Sequence, residues 1–154
     1  MTIEQLLPGI IGAFVGAFGW LIVGLFIQRQ QFARQAKNAA RAVYFELDSN
    51  TANVQFAVDL GAFTPLARSS YERVLPELAT WLPPEELRLI VTAYMSHAGY
   101  QQLRTDVEVP EQVRGQVLGE ILQVNRRARE LLGLRVFTDR ERRLMEQSRA
   151  GGAA

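Results

Sequence analysis

Hydrophobic and polar positions divide the chain sharply near residue 28. From Leu6 to Ile27 no residue is charged and none is strongly polar. As a helix, this run of 22 residues would be roughly 33 Å long, enough to cross a hydrocarbon core of about 30 Å. Pro8 falls in the first turn, where its missing N–H breaks no helical hydrogen bond. A cleaved leader fits less well. The residues before the run contain only Glu4 where a basic region is required, and Ile27 leads into Gln28-Arg29-Gln30-Gln31 without a small-residue cleavage site. The pattern predicts an uncleaved transmembrane helix over 6–27, with residues 1–5 as a short N-terminal extension.

Beyond Ile27 the periodicity stays helical. Phe32, Ala36, Ala39, Val43, Leu47, Val54, Ala57 and Val58 share one stripe. No strong breaker precedes Gly61, so the spacing predicts a stalk helix over 28–60. Gly61-Ala62-Phe63-Thr64-Pro65 reads as a turn. The next helix starts at Thr64-Pro65 or at Ser69, which has capping-box spacing to Glu72, and Pro76 interrupts it. Leu82-Pro83-Pro84 is a firm break. Pro84-Glu85-Glu86 opens a helix that runs to about Thr105, with Leu87, Ile90, Val91, Tyr94, Met95 and Ala98 on its apolar face. Pro110-Glu111 opens the last long helix, with Val113, Val117, Ile121, Val124, Ala128 and Leu131 on one side and Gly133 as its stop. No segment reads as a strand. The expected fold class is all-α: one N-terminal transmembrane helix continuing into a small up-down bundle of about three to four helices. The bundle domain would be 61–133, and 134–154 a basic segment ending in a disordered tail from Arg149.

Charge orients this arrangement. Residues 28–41 carry Arg29, Arg34, Lys37 and Arg41 and no acid, while residues 42–125 are net acidic and residues 126–154 net basic. The flank before the run has no Lys or Arg. The positive-inside rule therefore places the C-terminal domain in the cytoplasm and the N-terminus outside, with the chain in the inner (plasma) membrane. Within the run, Gly9, Gly12, Gly16 and Gly19 fall within an arc of roughly 80°, opposite Ile10, Ile11, Phe14, Phe18, Leu21, Ile22 and Leu25. Gly12-x-x-x-Gly16 is the spacing that lets helix backbones approach closely in lipid, so the glycine face is the expected helix–helix packing surface of a homo-oligomer. On an unbroken helix the apolar stripe of the stalk lies roughly opposite it.

Chemistry is sparse. With no cysteine in the chain, disulfides, thiolate metal sites and cysteine nucleophiles are excluded. His97 is the one histidine, without an i,i+4 histidine or a Glu three residues before it, which argues against a metal pair. It reads as a residue at the edge of the apolar face. Asn50, one turn from Glu46, stands on the stalk stripe as a register-fixing amide or a ligand contact. Glu120 could pair with an arginine across the bundle. Phosphate loops, dinucleotide glycines and nucleophile elbows are missing, so no cofactor, metal or catalytic residue is expected. The C-terminal run of Arg126, Arg127, Arg129, Arg140, Arg142, Arg143 and Arg149 is interleaved with acids and has little aromatic content. That composition argues against nucleic acid and for lipid headgroups, together with Arg29, Arg34, Lys37 and Arg41. No motif names a family. The expected function is a single-pass, self-associating interaction or scaffold module that presents its bundle to a cytoplasmic protein partner. The alternatives are a holin-like pore former and a membrane-tethered ligand sensor or enzyme.

Overall fold

The computed structural model describes the backbone of residues 3–106 and 108–151, and the side chains of those residues except 3–11, 13, 14, 146 and 149–151. Over them the chain is all-α, in the order α1 (Ile3–Leu60), α2 (Ser69–Trp81), α3 (Pro84–Thr105), α4 (Glu111–Val136) and α5 (Asp139–Gly151). It divides into two compact units, Met1–Gln35 and Ala36–Ala154.

The first unit is the N-terminal part of α1. Its described side chains from Val15 onward are all exposed, among them Phe18, Trp20 and Phe26. The side chains at 6–11, 13 and 14 and the glycine at 9 lie outside the described residues. Over the described residues no helix is long and apolar enough to cross a membrane. The uncharged stretch from Val15 to Gln28 would make only about 21 Å of helix.

The second unit is an up-down-up-down bundle. α1 from Ala36 runs in one direction and stops at Gly61, whose φ of +65° and N–H bond to the Ala57 carbonyl (3.1 Å) form a left-handed cap. α2 returns beside it, α3 runs parallel to α1, and α4 returns. Arg135 near the end of α4 pairs with Glu86 at the start of α3. α2 begins at Ser69, but the expected Ser69–Glu72 capping box does not form, because no side chain of its own caps this helix. Pro76 lies inside α2, and both it and Glu72, whose carbonyl it leaves unbonded, are exposed to water.

Two apolar cores are stacked along the bundle. The first joins Ala40, Val43 and Leu47 of α1 to Tyr71, Val74 and Leu78 of α2, Ile90 and Tyr94 of α3, and Ala128, Leu132 and Val136 of α4. The second holds Val54, Ala57, Tyr100, Leu103, Leu118 and Ile121. At 13 residues, α2 is about 20 Å long and covers only the first core. Phe63 and Leu66 of the irregular 61–68 segment close over the second.

The helix expected to stop at Gly133 continues to Val136, and Gly133 serves close approach instead. A Cβ at this position would lie 3.3 Å from Cε2 of Tyr44. Within the basic segment 134–154 a fifth helix, α5, occupies 139–151 and so extends past Arg149, where a disordered tail was expected to begin; residues 152–154 lie outside the described residues. The apolar faces are also rotated from their expected positions. Met95, Ala98 and Val113 are exposed, as are Phe32 and Val58, while Ala93, Tyr100, Leu103, Leu118 and Leu132 are buried. A helix wedged between two neighbours buries a wider arc than one stripe, and its centre is set by the crossing geometry.

α5 starts with a reciprocal capping box. The Glu141 N–H donates to Thr138 Oγ1 at 3.3 Å, and the Thr138 N–H donates to the Glu141 carboxylate at 2.7 Å. Arg41 joins this start to the end of α4. Its guanidinium donates to the Val136 carbonyl at 3.1 Å and to Glu141 at 2.8 Å, and lies 5.1 Å from the Phe137 ring centroid. Thr138→Ala should loosen α5 alone. Amides in its first turns should exchange about fivefold faster, the equivalent of the ~1 kcal/mol of an N-cap, with α4 unchanged in a hydrogen-exchange experiment. Equal acceleration in α4 would show that the two helices open together.

Candidate functional site

The chemistry-bearing side chains of the bundle gather in a polar layer between the two cores. Glu46, Asn50, Thr51, His97 and Asn125 are all buried there. Each comes from a helix position that would otherwise be apolar. Glu46 and Asn50 sit one turn apart on the inward face of α1, His97 follows Tyr94 on α3, and Asn125 lies between Ile121 and Ala128 on α4.

Glu46 is the hub. Its carboxylate accepts the backbone N–H groups of Ser70 (2.8 Å) and Tyr71 (3.2 Å), the Ser69 hydroxyl (3.3 Å) and the Tyr94 hydroxyl (2.7 Å). The cap that α2 lacks in its own sequence is thus supplied by α1, as a full negative charge at the positive end of the helix. Burial pushes the Glu46 carboxyl up, but the Ser70, Tyr94 and Tyr71 hydrogen bonds together outweigh it, and its pKa ends below the ordinary 4.5. Tyr94 is pushed well above the ordinary range, first by burial and then by its bond to Glu46, so it remains a protonated donor. Tyr71 stacks on Tyr94 with ring centroids 4.0 Å apart.

Asn50 is a loop clamp. Its Nδ2 donates to the Ala67 carbonyl at 2.7 Å, and its Oδ1 accepts the Ala67 N–H at 2.8 Å. Both ends of the amide face the backbone of the 61–68 segment, which leaves the ligand-contact reading without support. The Thr64 N–H donates to the Tyr100 hydroxyl at 3.2 Å and fixes the same segment a second time. Thr51 donates to the Leu47 carbonyl at 2.6 Å.

His97 is buried rather than at the edge of its face. Its Nε2 lies 3.2 Å from Asn125 Oδ1, while His97 Nδ1 and Asn125 Nδ2 are buried with no hydrogen-bond partner. Burial lowers its pKa below the ordinary 6.5, against the opposing pull of the Asn125 bond. The neutral ring donates from Nε2 and presents a bare lone pair at Nδ1. Nothing in the sequence pattern distinguishes Tyr100, whereas Asn125 interrupts an apolar stripe just as Asn50 does and carries the same signal. Among the described residues no group of three or more His, Asp or Glu could hold a metal ion. Through Glu46 and Asn50, bonded to backbone and tyrosine donors, the layer joins α1 to α2, α3 and the 61–68 segment.

The basic residues divide into two groups. Arg41 is held at the α4–α5 junction, Arg129 pairs with Asp48 at 2.9 Å, and Arg126 donates to Gln55 at 2.9 Å. All three reach across the bundle, Arg41 and Arg129 as ion pairs and Arg126 to a neutral amide with its charge exposed. Arg29, Arg34 and Arg127 are exposed and Lys37 is half-buried. Glu120 is exposed and not placed in the bundle interior. A groove of about 720 Å³ between α1, α4 and α5 is lined by Tyr44, Leu134 and Met145. Arg129, Arg142 and Arg143 face it alongside Glu130 and Asp139, so its charges largely offset.

The lowered His97 pKa fixes the sign of a pH dependence. As pH falls through 6.5, the unfolded chain takes up a proton that the folded chain refuses, so stability falls. The melting temperature of the chain should drop between about pH 7 and pH 5, and His97→Gln should flatten this part of the profile. The Glu46 contribution is separate and is lost only as pH falls below 4.5. An unchanged slope in His97→Gln would assign the loss to another group.

No protein-family model, curated protein or solved structure matches this chain.

Proposed function

We propose that this chain is a single-pass membrane-anchored helical module, with residues 6–27 as the anchor and the bundle from Ala36 onward in the cytoplasm. The observation that carries this reading is the uncharged run from Leu6 to Ile27, bounded on one side only by Arg29, Arg34, Lys37 and Arg41. The exposure of Phe18, Trp20, Leu21, Val23 and Phe26 supports it, since none of these large side chains is covered by the chain itself. That Arg41 is bonded within the folded bundle does not weaken the orientation argument. Topology is set during insertion, before the bundle forms. The module acts by association: copies meet through the glycine face, and the bundle is presented to a protein partner. At Gly12, Gly16 and Gly19 an added Cβ would meet nothing within 4 Å beyond its chain neighbours and the helix's own backbone.

A reporter active only in the cytoplasm should work when fused to the C-terminus, and one active only outside should be silent. The reverse pattern would overturn the orientation. Replacing Arg29, Arg34, Lys37 and Arg41 together with acids should weaken or invert it.

Gly12→Ile and Gly16→Ile should each lower crosslinking of the span in membranes severalfold, on the order of 1 kcal/mol of association. Gly24→Ile, off the centre of the stripe, should change it less. Equal losses at all three would remove the face and leave only nonspecific crowding.

A further inference from the structure

α1 carries a second surface within the bundle unit, on the side turned away from both cores. Asn38, Ala42, Phe45, Ser49, Ala52 and Phe56 follow one another at alternating spacings of four and three residues. All are exposed except Ala42, which is half-buried. Phe45 and Phe56 are 54% and 55% exposed, a large apolar area for a surface helix. Phe45 touches Phe137 with ring centroids 5.9 Å apart, yet most of its ring stays open. The residues that face the cores, Ala36, Ala40, Val43, Leu47, Val54 and Ala57, lie on the opposite side of the helix. The outer stripe is therefore not a slipped core face.

Alternating 4-3 spacing is the signature of a helix–helix seam, in which side chains of one helix enter the gaps of another. We infer that this face is the seam of a parallel, in-register pair formed with α1 of a second copy of this chain. Three features select that occupant. The spacing asks for a helix, and an in-register copy presents the same spacing back. Extended toward the N-terminus in the sequence, the frame passes through Gln35, Gln31 and Gln28 without meeting a charge, although Arg29, Arg34, Lys37 and Arg41 stand beside it. In register, each of these amides meets its own copy and can hydrogen-bond to it. The flanking residues that a parallel pair brings together are Arg34 with Ala39, Asp48 with Asn53 and Gln55 with Leu60, while Arg41 and Glu46 at the remaining flanking positions are held by bonds within their own chain. None of these pairs joins like charges. From Asn38 to Phe56 the seam is about 27 Å long, and it ends where Asp59 takes the next position. The inference deepens the membrane-anchored reading and rests on it for the parallel orientation, because copies held by the same anchor share one direction.

The chain has no cysteine, so single cysteines report cleanly. Full-length protein with Ser49→Cys, Ala52→Cys or, as an exposed control on α4, Glu120→Cys is oxidised in membranes. Disulfide-linked dimer should form at 49 and 52 about tenfold more than at 120, and adding Phe45→Asp with Phe56→Asp should bring 49 down to the control level. Both phenylalanines are exposed, and an unchanged helical circular dichroism spectrum confirms that the bundle persists. Equal crosslinking at all three positions, or crosslinking at 49 that ignores the phenylalanine changes, overturns the seam. The glycine-face reading is scored separately. If Gly12→Ile with Gly16→Ile leaves the Ser49→Cys dimer in place, the seam stands by itself. If the span still associates while 49 and 52 stay at background, the seam falls and the glycine face remains.

Discussion

The bundle depends on one buried carboxylate. Glu46 reaches from the middle of α1 to the first turn of α2, and four donors converge on it. α2 cannot hold itself. It is short, has a proline inside and has no cap of its own, and isolated helices of this length are marginal in water. A charge at its N-terminus, held in place by a tyrosine that stays protonated, fixes where α2 begins and how it lies against α1 and α3. Replacing the carboxylate with an apolar group would leave the Tyr71 N–H and the Tyr94 hydroxyl buried without acceptors, and the half-buried Ser70 N–H unpaired, a larger loss than the hydrogen bonds themselves are worth.

One turn further along, Asn50 does the same for the segment that precedes α2. Its two bonds to Ala67 imitate a backbone pair and hold an eight-residue connection, 61–68, over the second core. The polar layer thus has a mechanical role. It marks the height in the bundle at which a helix gives way to an irregular cover, and it lets a three-helix region and a four-helix region share α1, α3 and α4. His97 and Asn125 complete the layer with one mutual bond and two unpartnered atoms. They are the least satisfied pair in the layer, and the cost of protonating His97 there lowers its stability in acid.

α1 has different neighbours on different sides. Its inner face builds the cores, Arg41 at its entry to the bundle joins α4 to α5, and its outer face from Asn38 to Phe56 stays largely open, with Phe45 touching Phe137 at its edge. Arg41 has a role in the fold that the charge pattern does not show. In sequence it is the last of four basic residues after an apolar run, yet in the fold it caps the C-terminal carbonyl of α4 and reaches the capping glutamate of α5.

Local rules wrote much of the architecture into the sequence. Pro84 and Glu111 begin helices because proline and acids suit a first turn, Gly61 ends α1 because it tolerates a left-handed backbone, and Leu82-Pro83 separates α2 from α3. The all-α class and the alternating directions follow from these signals and short connections. What depended on distant residues was not legible. Gly133 looks like a stop until the Tyr44 ring is seen against it. Ser69 looks like a cap until Glu46, 23 residues earlier, supplies the acceptor. Thr138 and Glu141 did carry a local capping signal, hidden behind the charge of the segment. Asn50 and His97 could be singled out as polar residues on apolar faces, but whether an amide meets a ligand, water or a backbone segment is decided by which loop folds over it. Secondary structure and chain direction are properties of neighbours in sequence. The partners of buried polar groups are properties of neighbours in space, and only the tertiary structure brings those together.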